Sequence, residues 1–167
     1  GRSSTRHTIT QAEWSADVGS PELDAPILTV PSAQTVNEDT ALNITGITLS
    51  DVDAGTAEVR VDLSVNNGTL VLNSVAGLTP IDSDGNDGTL SYTGTVADLN
   101  TALASLNYTG NPNFNGSDQL TVVVDDQGNT GTGGALTDTE SVAITVYAVN
   151  DAPILTVPSA QTVNEDT

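Results

Sequence analysis

The chain has 167 residues, of which 22 are acidic, three are arginines (Arg2, Arg6 and Arg60) and none is lysine, for a formal net charge of −19. That balance excludes nucleic acid and anionic membrane surfaces as partners, because their phosphates are bound through Lys and Arg. Cysteine is absent and the single histidine is His7, which excludes disulfides, thiolate metal sites and any Ser-His-Asp or Cys-His pair within the main body.

Residues 1–23 hold the sole Trp, the sole His and two of the three arginines. They differ in composition from the rest of the chain and are read as a flexible N-terminal segment or cloning remnant without function. From Asp24 onward, short alternating apolar runs are separated by turn residues. Pro26 to Val36 predicts a first strand, broken at Pro31, which confines it to a sheet edge because proline cannot donate to the ladder. Ala41 to Leu49 predicts a second strand. In residues 58–65 Val59, Val61, Leu63 and Val65 share one face, with Arg60, Asp62 and Ser64 on the other. That period of two marks a half-buried strand.

Asn66-Asn67-Gly68 predicts a hairpin turn into a next strand over residues 69–72. The run Asp82-Ser-Asp84-Gly-Asn86-Asp87-Gly88 has the opening of an EF-hand loop, but its glycine is misplaced and Thr93 stands where the bidentate Glu belongs. It reads as a solvated hairpin loop leading to a strand around Leu90 and Tyr92. Leu99, Ala102, Leu103 and Leu106 recur at helical spacing behind a Thr95–Asp98 capping pair, so one short helix is expected over 95–106. Asn107 to Asp118 reads as an Asn/Gly-rich loop whose Tyr108 and Phe114 plug the core. Two long strands close the unit, with Leu120, Val122 and Val124 alternating in one and Val142, Ile144, Val146 and Ala148 in the other. The class is all-β, a sandwich with one short helix. No apolar run is long enough to span a bilayer.

Residues 24–40 and 151–167 are the same seventeen letters, DAPILTVPSAQTVNEDT, at an offset of 127. An identity of that length is a tandem repeat. A period of this size is a domain, so residues 24–150 form one complete unit and residues 151–167 the first strand of the next.

The stretch SVAITVYAVNDAP (residues 141–153) resembles the last strand and linker of cadherin repeats, and more closely those of cadherin-like repeats in giant bacterial surface adhesins. NFNGSDQLTVVVDDQG (113–128) and NEDT (37–40) are similar to the same family. The resemblance implies an immunoglobulin-like sandwich in an extracellular or bacterial cell-surface array, with Ca²⁺ at the junctions between repeats. It carries over as candidate ligands Asp24, Glu38, Asp51, Asp53, Asp125, Asp126, Asn150 and Asp151. Strand lengths sort these acids onto two ends of the unit. Glu38, Asn150 and Asp151 fall at one, and Asp24, Asp51, Asp53, Asp125 and Asp126 at the other. Turn chemistry is the competing explanation, since Asp and Asn bond their own backbone.

The function expected on this reading is a calcium-binding extender repeat projecting distal adhesive domains. Its partners would be neighbouring repeats, joined through calcium-bridged junctions, with weak head-to-tail self-association through residues 151–167. The alternative is a ligand- or carbohydrate-binding adhesion module, and no enzymatic activity is expected.

Overall fold

A computed structural model describes residues 24–129 and 133–165. The N-terminal segment assigned to residues 1–23 lies outside the described residues. Eleven strands and one α-helix are formed among them. They are β1 (Ile27–Thr29), β2 (Gln34–Asn37), β3 (Ala41–Asn43), β4 (Thr48–Ser50), β5 (Glu58–Ser64), β6 (Gly68–Leu72), β7 (Thr79–Asp82), β8 (Thr89–Thr95), α1 (Val96–Leu103), β9 (Leu106–Gly110), β10 (Gly116–Asp125) and β11 (Thr137–Tyr147).

A six-stranded sheet has the order β2-β11-β10-β5-β8-β7, a three-stranded sheet the order β3-β9-β6, and β1 pairs with β4 alone. The result is an all-β, sandwich-like fold. Its core is built by alternation. Val59, Val61 and Leu63 of β5, Leu120, Val122 and Val124 of β10, and Val142, Ile144 and Val146 of β11 are all buried. Leu70, Leu106, Tyr108, Ile44, Ile47 and the helix residues Leu99 and Leu103 belong to the same apolar cluster.

The first strand breaks near Pro31, as its sequence requires. Its two halves serve different sheets: β1 runs antiparallel to β4, and β2 runs parallel to β11 at the edge of the large sheet. The helix also forms where the cap pattern places it. The Thr95 hydroxyl accepts the Asp98 N–H at 3.2 Å and donates to the Asp98 carboxylate at 2.7 Å. It ends at Leu103, and Leu106 belongs instead to β9.

Three other expectations are corrected. The strand over Ala41–Leu49 is two strands, β3 and β4, with Ile44 and Ile47 driven into the core between and beside them. Asn107–Asp118 is not one loop. Its first residues pair in β9 with both β3 and β6, and its last begin β10. Asn66-Asn67-Gly68 does not close a hairpin either. β5 lies between β10 and β8, while β6 crosses to the small sheet beside β9. The physical reason is Asp118, whose two carboxylate oxygens accept the N–H groups of Asn66 at 3.1 Å and Asn67 at 2.9 Å. They satisfy the backbone where it leaves the sheet, so the turn becomes a corner between layers.

The acidic run 82–88 does form a hairpin loop, between β7 and β8. Asp84 accepts the Asn86 N–H at 3.1 Å, and the Thr89 hydroxyl and N–H together hold the Asp87 carboxyl below its ordinary range. Gly85 tucks beneath β6, where a Cβ would overlap the Leu70 carbonyl oxygen. Only glycine allows that approach.

Candidate functional site

The acidic residues separate onto two ends of the sandwich. At the entry end the Asp24 N–H donates to Asp53 Oδ2 at 2.6 Å. Asp51 Oδ1 accepts the N–H groups of Asp53 at 2.9 Å and Ala54 at 3.0 Å, fixing the turn after β4. Asp24, Ala25, Ile27, Ser50, Asp51 and Val52 line a hollow of about 310 Å³. The β10–β11 connection lies at the same end. There Asp125 accepts the Gln127 N–H at 2.7 Å, and the side chains of Gln127 and Asn129 donate to the Glu58 carbonyl. Asp126 is buried. Its Oδ1 accepts the N–H groups of Gly128 and Leu136, both at 2.8 Å, while its Oδ2 has no hydrogen-bond partner among the described residues.

Glu38 stands at the exit end. Its backbone N–H donates to the Tyr147 carbonyl, its Oε1 accepts the Val149 N–H at 2.6 Å, and Asn115 approaches its Oε2 at 3.4 Å. Asn150 and Asp151 follow directly and are exposed. The chain therefore enters at one end and leaves at the other. Asp39, not a sequence candidate, holds the adjacent loop by accepting the Asn113 N–H at 3.0 Å.

Glu38, Asp51, Asp53, Asp125 and Asp126 each accept backbone N–H groups. Among the described residues no group of three His, Cys, Asp or Glu side chains converges to hold a metal ion. The described residues contain one salt bridge, Arg60 to Asp62 at 2.6 Å on β5, which with its hydrogen bond holds the guanidinium pKa above its ordinary value.

Among the described residues the aromatic side chains lie mostly inside. Tyr92 and Tyr108 are buried and Phe114 is half-buried against the core, which leaves Tyr147 exposed. A flat sugar platform would need such rings at the surface.

A scan of family models matches residues 43–132, more than half of the chain, to the Protein GAMETE EXPRESSED 2 domain. The chain belongs to that family. The match replaces the assignment to cadherin-like repeats of bacterial adhesins, and with it the function of a calcium-binding extender on a bacterial surface. No curated protein matches the chain. A GAMETE EXPRESSED 2 domain is compatible with a surface location, and no described helix is long and apolar enough to cross a membrane.

One polar group inside this domain has a strong pH consequence. Burial, then the hydrogen bond to Asp118 and its negative charge, push the Tyr108 phenol well above its ordinary pKa. A raised pKa means that the folded state favours the neutral phenol. The stability it confers is complete below about pH 10, the value expected in the unfolded chain, and is lost as pH rises through the folded-state value. Denaturant titrations from neutral pH to above about pH 10 should therefore show stability falling on the alkaline side. Tyr108→Phe should flatten that limb, and an unchanged alkaline slope would show that this phenol is not responsible.

Proposed function

We propose that this chain is one unit of a linear array of β-sandwich domains on a gamete-expressed protein, displayed outside the cell, where it makes protein contacts without catalysis. The observation that carries the reading is the family match over residues 43–132. Two features support it. Asp24 and Val149 lie at opposite ends, so successive units extend in line instead of folding back. Residues 24–167 also hold no His, Cys or Lys, and the carboxylates of Glu38, Asp51 and Asp126 already serve as backbone acceptors.

The test is binding of the fluorescently labelled chain to intact gametes and to somatic cells of the same organism. Saturable binding to gametes that somatic cells lack is the expected result. Equal labelling of both cell types, or of neither, would overturn the reading.

A further inference from the structure

The triplet Asn-x-Ser/Thr, with any residue but proline in the middle, occurs at Asn43, Asn67, Asn107 and Asn115. In a protein that passes through a eukaryotic secretory pathway this triplet is the acceptor for N-linked glycans, and its usual place is a surface loop. A gamete-expressed protein displayed outside the cell takes that route, and the glycan assignment rests on that reading.

The fold separates the four triplets. Asn43 lies on β3 with its amide turned onto β9, where Nδ2 donates to the Leu106 carbonyl at 3.2 Å. Asn67 is half-buried in the β5–β6 corner. Its N–H is held by Asp118 at 2.9 Å, its carbonyl accepts the Asn111 N–H at 2.8 Å, and Gly68 after it is buried against the Tyr108 ring. Asn107 is half-buried on β9, the middle strand of the small sheet, with Asn43 opposite on one side and Val71 on the other. Side chains opposed in this way stand roughly 5 Å apart, so a sugar on Asn107 would have to ride over both neighbours.

Asn115 differs on each count. It is exposed and lies in the loop between β9 and β10. Phe114 before it packs against the core, and Gly116 after it has no side chain and a φ of +134°, so neither chain neighbour crowds the amide. Ser117, the third member of the triplet, is exposed too. The Asn115 Nδ2 stands 3.4 Å from both Glu38 Oε2 and the Asn113 carbonyl. These contacts are longer than the usual limit of about 3.2 Å for an N–H···O bond, so little is lost when the amide is modified.

We propose that Asn115 carries an N-linked glycan. In the transfer, Nδ2 attacks the anomeric carbon of a lipid-pyrophosphate-linked oligosaccharide. The N–C bond forms, the C–O bond to pyrophosphate breaks, the lipid pyrophosphate leaves, and Nδ2 gives up one of its two protons. The proton that remains can still face Glu38. The sugar then stands beside the residue that anchors Val149, where it shields the exit end of the unit.

The test uses the full chain, placed behind a cleavable secretory signal and expressed in eukaryotic cells. Peptide mass spectrometry reads the occupancy of every triplet, after an amidase has converted each glycan-bearing Asn to Asp. The expected result is Asn115 modified in most of the chains recovered. Ser117→Ala keeps Asn115 but breaks the triplet and should remove that glycan, whereas Ser117→Thr should retain it. The unsubstituted glycosylated chain and Ser117→Ala should melt at the same temperature within error, because the sugar displaces only the two long contacts. Asn115 unmodified in most recovered chains would overturn the proposal, even with sugar at another triplet. A glycosylated chain that melts well below Ser117→Ala would overturn it too, because the fold would then not accommodate the sugar. Gamete binding is read on the unmodified chain, so a bare Asn115 and a failure of surface display are separate results.

Discussion

Asp118→Ala should lower the unfolding free energy by about 3–5 kcal/mol, because it strands several donors at once and each buried unsatisfied group costs roughly 1–3 kcal/mol. The Tyr108 hydroxyl donates to Asp118 Oδ2 at 3.0 Å in the interior, and Tyr108 is completely buried. The N–H groups of Asn66 and Asn67 donate to the same carboxylate, as does that of Gln119 at 2.8 Å. One side chain thus ties the start of β10, the middle of β9 and the β5–β6 corner together. For a domain of this size each kcal/mol moves the melting temperature by roughly 3–5 °C, so a drop of about 10–20 °C in a circular-dichroism melt is the expected reading. Asp118→Asn keeps acceptor capacity on one oxygen and should cost less than Asp118→Ala. Tyr108→Phe removes only one of the four donors and should cost least. A melt unchanged within about 1 kcal/mol for Asp118→Ala would mean that water reaches the corner and satisfies it.

Asp118 also explains which parts of the fold are legible from the sequence. β5 is legible because both its faces obey the period of two and its neighbours cover one of them. The helix is legible because Thr95 and Asp98 state its start locally. The corner is not, since Asn-Asn-Gly serves a hairpin and a sheet-to-sheet crossing equally well. What decides between them is a carboxylate 52 residues away from Asn66. β9 is hidden for a related reason. Its Asn107, Thr109 and Gly110 have the composition of a loop, and only pairing on both sides makes them a strand.

The ends of the sandwich show the same division. Strand lengths are local information, and they place Glu38 opposite Asp24 correctly. Whether the acids at one end face each other depends on loop geometry that no spacing encodes. They turn towards nearby backbone N–H groups, as Asp51 and Asp125 do. The family is obscured by where its signals lie. Two of the three stretches that resemble cadherin repeats, at residues 37–40 and 141–153, fall outside the matched span of 43–132. They report strand ends and linkers, segments in which unrelated sandwiches converge on the same Asn, Asp and Pro turn chemistry.

Asn100→Ala is the second substitution expected to be costly, at roughly 2–4 kcal/mol for one donor and one acceptor left unmet. Asn100 lies on α1, yet its side chain completes a sheet. Its Oδ1 accepts the Leu49 N–H at 2.7 Å, and its Nδ2 donates to the Leu49 carbonyl at 2.8 Å. β4 pairs on one side with β1 only, and on the other side a single amide group stands in for a neighbouring strand. The amide suits this role because it offers one donor and one acceptor at the separation of a backbone N–H and C=O. Aspartate keeps the acceptor for the Leu49 N–H but turns a second oxygen towards the Leu49 carbonyl. Asn100→Asp should therefore destabilise at least as much as Asn100→Ala, although it is nearly isosteric. Denaturant unfolding of the two variants gives the magnitudes, and hydrogen exchange at the Leu49 amide gives the location. In both variants, exchange at that amide should accelerate relative to the central strands β5 and β10. If Asn100→Ala costs under about 0.5 kcal/mol and leaves Leu49 protected, then β4 is held by β1 and the core alone, and the helix contributes packing without strand-like pairing.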